Sequence, residues 1–62
     1  MLIKFNSPKG TPIYIESRKI SGVREIDEKT TYIFVQAGNE NEDWIVGENV
    51  EQVIQKIPIR KL

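Results

Sequence analysis

The spacing of the apolar residues changes near residue 50, and this change limits the fold more than any other feature of the sequence. Four apolar residues follow the spacing of one face of an α-helix: Val50, Val53, Ile54 and Ile57. Asn49 is a favourable N-cap, Gln52 completes a capping box three residues later, and Pro58 stops the helix. The sequence therefore predicts one short helix near the C-terminus, followed by a short tail.

The residues before this helix have the pattern of short β-strands separated by turns. Four strands are predicted from their apolar and β-branched residues: Leu2–Asn6, Pro12–Glu16, Thr31–Ala37 and Trp44–Val46. Between residues 17 and 27 the apolar residues are three apart, which fits either a strand with a bulge at Ser21-Gly22 or a turn followed by a strand that begins at Gly22. Gly38–Asp43 is predicted to be a loop, because Gly, Asn and clustered acids favour turns.

These elements predict an α+β fold and a single domain spanning residues 1–62. The expected architecture is a small antiparallel sheet of four or five short strands with one C-terminal helix packed on one face. A chain this short buries only about 60% of its unfolded surface, and small domains of this kind are often stabilised by disulfides, a metal or a partner subunit.

A sheet covered by one short helix leaves its second face open, and in this sequence both faces carry apolar residues. The side chains predicted to remain uncovered are those of Tyr14, Tyr32, Phe34 and Ile45. Exposed apolar patches on small proteins usually mark an interface. We therefore predict that these four residues form an interface, most simply between copies of the chain in a homo-oligomer, with another protein as the alternative partner. Trp44, the only Trp, can belong to the core or to this interface.

The chain contains neither Cys nor His, which removes the commonest nucleophile–base pairs and zinc ligands. The carboxylate pairs lie in predicted turns, where nothing raises their pKa for acid–base catalysis. The sequence thus predicts a non-enzymatic protein without catalytic residues, cofactor or metal site.

The acidic stretch Gly38–Trp44 is the one segment that resembles a cation-binding loop. Asn39, Asn41 and Asp43 alternate as the first ligands of a calcium loop do. However, Trp44 occupies the position of the required Gly, and Val50 that of the bidentate Glu. The pattern fails at both positions, so the segment is interpreted as a turn.

Basic residues are concentrated in the first part of the chain, although the whole sequence has nine bases and nine acids and no net charge. Four of them are candidate nucleic-acid contacts: Lys9, Arg18, Lys19 and Arg24. Tyr14 and Tyr32 could stack on bases beside them. The alternative function is therefore that of a small nucleic-acid-associated regulator, which the zero net charge makes less favourable. Basic residues gathered on one face beside both tyrosines would favour nucleic acid, and scattered ones would favour a protein partner.

The sequence begins MLIKF, which lacks the basic and long apolar regions of a secretory signal. Its uninterrupted apolar runs are far shorter than a membrane span, so no membrane insertion is predicted. Together with the absence of Cys, these features predict a cytoplasmic protein.

The order of apolar residues resembles that of the FlbD/SwrD family of small flagellar proteins over most of the chain. The matching segments are Ile3, Lys9-Gly10, Ile13–Ile15, Ile20–Val23, Thr31–Val35, Gly38, Trp44–Val46 and Glu48–Ile54. Members of that family are short cytoplasmic proteins associated with flagellar motor function and swarming. The resemblance implies a motility-associated accessory protein that acts through protein contacts.

Overall fold

A computed structural model describes residues 1–58 of the chain, and the predicted tail after Pro58 lies outside the described residues. The elements in chain order are β1 (Leu2–Asn6), β2 (Pro12–Glu16), a 3-10 helix (Ser17–Lys19), β3 (Ile20–Glu25), β4 (Thr31–Ala37), β5 (Glu40–Asn41), β6 (Trp44–Val46) and α1 (Val50–Lys56). All strand pairs are antiparallel, and one helix follows them, so the predicted α+β class is confirmed. The strands form two sheets, of two and four strands.

The first sheet is the hairpin of β1 and β2, in which Ile3 lies opposite Ile15. Its turn is held by Ser7, whose Oγ accepts the backbone N–H of Thr11 at 3.0 Å. Gly10 has a φ of +88°, a left-handed conformation that glycine adopts without the steric penalty of a side chain. Ser7 and Gly10 therefore close the turn of this hairpin.

The second sheet is built around β4, which pairs with β3 on one side and with β5 and β6 on the other. The β3–β4 register shifts between Ile20 and Gly22, which leaves Ser21 as the extra residue of a bulge. The Ser21 hydroxyl donates a hydrogen bond to the Phe34 carbonyl oxygen at 3.2 Å. This arrangement confirms the alternative that placed a bulge at Ser21-Gly22.

The segment Gly38–Asp43 contains regular structure where the sequence predicted only a loop. Ala37 pairs with Glu40, so the chain reverses within two residues and returns as β5. Gly38 has a φ of +65° and is the first central residue of this turn, where two-residue hairpins favour glycine. The loop prediction was wrong for residues 40 and 41, because the tight turn lets the acidic segment pair with β4.

The core lies between the two sheets and beneath α1. Its buried apolar side chains are Ile3, Phe5 and Ile15 from the hairpin, Ile33, Val35 and Val46 from the second sheet, and Val53 from the helix. Fully burying an apolar side chain contributes about 1.5–3 kcal/mol to folding, so these few residues supply most of the hydrophobic stabilisation.

The helix α1 begins as predicted, with a reciprocal capping box. Asn49 Oδ1 accepts the Gln52 N–H at 2.8 Å, and Gln52 Oε1 accepts the Asn49 N–H at 3.0 Å. The apolar face is narrower than the spacing predicted, because Val53 is fully buried whereas Ile54 is 38% exposed. The helix has seven residues, about two turns, and packs on the inner side of the second sheet mainly through Val53.

Residues 47 and 48, between β6 and α1, join the two sheets. The Gly47 N–H donates to the Asn6 carbonyl oxygen at 2.7 Å. Glu48 is buried and its Oε2 accepts the Asn6 N–H at 2.7 Å. Glu48 Oε1 lies 2.7 Å from Lys56 Nζ, which also donates to the Lys4 carbonyl oxygen at 3.1 Å. One carboxylate therefore connects β1 with the helix.

Candidate functional site: the outer face of the second sheet

Alternate residues of β4 point to opposite sides of the second sheet. Ile33 and Val35 are buried in the core, whereas Tyr32 and Phe34 are half-buried on the other side. Ile45 pairs with Tyr32 across β4 and β6, and its side chain is 47% exposed. We call the surface formed by Arg24, Tyr32, Phe34 and Ile45 the outer face. It carries three of the four residues predicted to form an interface.

The two aromatic rings of the outer face pack against each other. The ring centroids of Tyr32 and Phe34 are 4.8 Å apart with an interplanar angle of 64°, which is the edge-to-face arrangement. Gly22 lies opposite Phe34 on β3, and a Cβ built at this glycine would be 3.6 Å from the Phe34 ring. The ring thus lies beside a strand position without a side chain, a common way to cover a glycine in a sheet.

Asp43 fixes the position of Tyr32. Its Oδ2 accepts the Tyr32 hydroxyl at 2.8 Å, and its Oδ1 accepts the Val35 N–H at 3.3 Å. The Glu42 N–H meanwhile donates to the Val35 carbonyl oxygen at 2.8 Å, so the interruption between β5 and β6 leaves both backbone groups of Val35 hydrogen-bonded. The hydrogen bond to Asp43 raises the pKa of Tyr32 above its usual value of 10.0. The outer face therefore holds its central tyrosine before any partner binds.

The structure separates Tyr14 from the other three predicted interface residues. Tyr14 lies on β2 opposite Lys4 and is 60% exposed. Its neighbours Ile13 and Ile15 point towards the core, so Tyr14 lies on the outside of the first sheet. The expectation that it shares one surface with Tyr32 was wrong, because alternation along a strand does not indicate which sheet the strand joins.

The basic residues proposed as nucleic-acid contacts lie in three different segments. Lys9 is in the turn between β1 and β2, and Arg18 and Lys19 are in the 3-10 helix. Arg24 alone lies beside Tyr32, its partner in the β3–β4 register. By the criterion stated for the sequence, this scattered placement favours a protein partner over nucleic acid.

Trp44 lies outside the outer face. It pairs with Ile33, a core residue, and therefore points to the inner side of the sheet, where it is 40% exposed at the edge strand β6. The acidic stretch before Trp44 forms the turn between β4 and β5, and its Asp43 accepts the hydrogen bond of the Tyr32 hydroxyl. In residues 1–58, no three acidic side chains are close enough together to hold a metal ion.

Two carboxyl groups have lowered pKa values, and hydrogen bonds in turns account for both. The N-terminal amine and the Arg18 N–H lower the pKa of Glu16 to about 2. Hydrogen bonding by Thr30 and by the Lys29 N–H lowers the pKa of Asp27. Acid–base catalysis at neutral pH needs a carboxyl pKa raised towards 7, so neither group is suited to it.

Comparisons with protein-family models, with curated proteins and with solved structures found no match to this chain. Within residues 1–58 there is no helix with the length and apolarity needed to cross a membrane.

Proposed function

We propose that this protein is a non-enzymatic, cytoplasmic interaction module that binds proteins through its outer face. The observation that carries the proposal is the patch of exposed Ile45 and half-buried Tyr32 and Phe34 on the side of the second sheet that α1 does not cover. Removing apolar surface of this kind from water lowers the free energy, so burial by a partner stabilises the complex.

The outer face has the properties of a binding surface with anchor residues. Aromatic side chains contribute most when they are already held in the bound conformation, since less entropy is then lost on binding. Tyr32 is held by Asp43 on one side and by the Phe34 ring on the other. We infer that the simplest partner of this surface is the same surface of a second copy, packed face to face.

The resemblance to the FlbD/SwrD proteins supports a role in motility, in which the outer face contacts a component of the flagellar apparatus. This proposal rests on the apolar pattern of the sequence and is independent of self-association. Deleting the gene in the organism that encodes it should reduce swarming.

Ile45→Glu tests the outer face directly, because it places a charge beside Tyr32 at the most exposed apolar side chain of the patch. Tyr14→Ser is the matched control, since it removes an exposed apolar side chain from the other sheet. Sedimentation velocity over a wide concentration range should show self-association of the wild type and of Tyr14→Ser, and weaker association of Ile45→Glu. Equal association of all three proteins would refute the role of the outer face. Restoration of swarming by Ile45→Glu as complete as by Tyr14→Ser would refute its role in motility.

A further inference from the structure

The strand β3 has an edge without a partner strand. It pairs with β4 along one side, and among residues 1–58 no strand pairs with its other side. The backbone N–H and C=O groups of such an edge can extend the sheet by pairing with another strand.

The opposite edge of the second sheet is protected against pairing more fully than the β3 edge, which carries one bulge at Ser21 and the charged side chains of Arg24 and Glu25. The β5–β6 edge is interrupted after Asn41, where Glu42 and Asp43 break the strand and add two carboxylates. Acids and irregularities of this kind discourage pairing. The stretch Gly22–Glu25 of β3 contains neither Pro nor Lys and follows the Ser21 bulge in regular register with β4.

The two ends of β3 carry opposite charges. Arg18 and Lys19 immediately precede the strand, and both are exposed. At its other end lie three exposed acids, Glu25, Asp27 and Glu28, and two exposed bases, Arg24 and Lys29, so this end keeps an excess of negative charge. The ion pairs described in residues 1–58 join Met1 to Glu16 and Glu48 to Lys56. None of the charged side chains at the two ends of β3 takes part in them.

We propose that two copies of this chain pair antiparallel along their β3 edges, with the two-fold axis near Val23. In an antiparallel pair, the start of each strand lies beside the end of the other. The basic end of each copy therefore meets the acidic end of the second copy, and the two-fold symmetry repeats this contact. A parallel pair would bring like charges together at both ends.

An exposed apolar side chain and an apolar groove support the same arrangement. The groove runs between β3 and α1 and is lined mainly by Ile20, Val23, Ile54 and Ile57. Ile26, just beyond β3, is 45% exposed. With Val23 near the axis, Ile26 of one copy lies level with Ile20 in the other. The same pairing thus brings backbone, charged and apolar groups of the two copies together.

This inference rests on the proposed function, because it gives the interaction module its own copy as a partner at a second surface. The edge pair leaves both outer faces open on one side of a continuous sheet. The two surfaces can therefore be tested separately.

The test uses two charge-reversed full-length proteins, Arg18→Glu/Lys19→Glu and Glu25→Lys/Glu28→Lys. Asp27 is left unchanged because it accepts the N–H groups of Lys29 and Thr30 in its turn. Each protein should form edge pairs roughly tenfold or more weakly than the wild type, since each reversal replaces attraction with repulsion at both ends. An equimolar mixture should form heterodimers with an affinity close to that of the wild type. Raised salt should weaken the wild-type pair, because exposed charges are screened.

Native mass spectrometry and sedimentation velocity measure these species, and circular dichroism checks that each variant is folded. The Ile45→Glu background removes outer-face contacts, so that edge pairing is measured alone. Undiminished pairing of either charge-reversed protein, or failure of the mixture to pair, would overturn the edge proposal and leave the proposed function standing. A monomeric Ile45→Glu protein would also overturn the edge proposal. If the same variant ending at Pro58 then pairs, residues 59–62 occupy the edge in place of a second copy.

Discussion

Replacing Glu48 with alanine is expected to lower the free energy of unfolding by about 3 kcal/mol, mainly through the Asn6 hydrogen bond. Glu48 is only 6% exposed and accepts the Asn6 N–H at 2.7 Å. A hydrogen bond to a charged group contributes about 1.5–3 kcal/mol, and a buried N–H left without a partner costs about 1–3 kcal/mol. These two figures describe the same lost contact, so they are not added. Lys56 is 36% exposed, and its ion pair with Glu48 therefore contributes about 1 kcal/mol more.

This loss is large for so small a domain. At about 0.05–0.15 kcal/mol per residue, a chain of this length has a total stability of roughly 3–9 kcal/mol. Glu51→Ala is the matched control, because it removes the same charge from an exposed position in the first turn of α1. It should cost no more than about 1 kcal/mol, the contribution of its interaction with the helix dipole.

Urea unfolding followed by the fluorescence of Trp44 measures these differences. Lys56→Met keeps an unbranched apolar stem over the Phe5 ring, where the ammonium group now lies 5.4 Å from the ring centroid. Combined with Glu48→Ala, it should show a coupling energy of about 1 kcal/mol. A change for Glu48→Ala within about 0.5 kcal/mol of that for Glu51→Ala would refute the reasoning, since it would mean that the part-buried hydrogen bond to Asn6 adds nothing.

Three further changes test other contacts. Gly47→Ala should destabilise the protein by about 1–3 kcal/mol, because its Cβ would lie 2.9 Å from backbone atoms of the turn after β1. Gly22→Ala is the control, since its Cβ would make only an ordinary contact at 3.6 Å. A smaller loss of stability for Gly47→Ala than for Gly22→Ala in thermal unfolding would contradict this. The pKa of Glu16 is lowered from 4.5 to about 2, so its stabilising effect is complete above pH 4.5 and is lost as the pH falls towards 2. Glu16→Gln should therefore lose less stability than the wild type over that interval, and parallel acid-unfolding curves would argue against the contact. Asp43→Asn should lower the pKa of Tyr32 towards 10.0, as measured by NMR of its ring carbons, and an unchanged value would show that the hydrogen bond is absent in solution.

The positions of most elements could be predicted from the sequence, because their signals are local. Alternation located β1, β2, β4 and β6, and the Asn49–Gln52 pair located the start of α1. The division into two sheets could not be predicted, since neither alternation nor turn residues specify which strands become neighbours. Tyr14 shows the consequence: its pattern matches that of Tyr32, yet it lies on the other sheet.

The structural roles of two acidic residues, Asp43 and Glu48, could also not be predicted from the sequence. Asp43 belongs to an acidic cluster that is typical of a hydrated turn, but its oxygens complete the interrupted edge of the sheet and hold Tyr32. Glu48 lies between a strand and a helix, where acids are usually exposed, but Asn6 binds it from a distant part of the chain and Lys56 from the end of the following helix. Contacts this distant in sequence depend on the completed fold, so a local pattern cannot reveal them.

The link through residues 47 and 48 has a consequence for how the domain opens. The first sheet shares no strand ladder with the second, and a hairpin of two strands is marginally stable by itself. Asn6 nevertheless uses both of its backbone groups to bind residues that immediately precede α1. Detaching the hairpin must therefore break the hydrogen bonds of Asn6 to residues 47 and 48, just before α1. Unfolding of the helix must in turn weaken the attachment of the hairpin. Native-state hydrogen exchange should find amides of β1 and β4 opening with nearly the same free energy, as one cooperative unit.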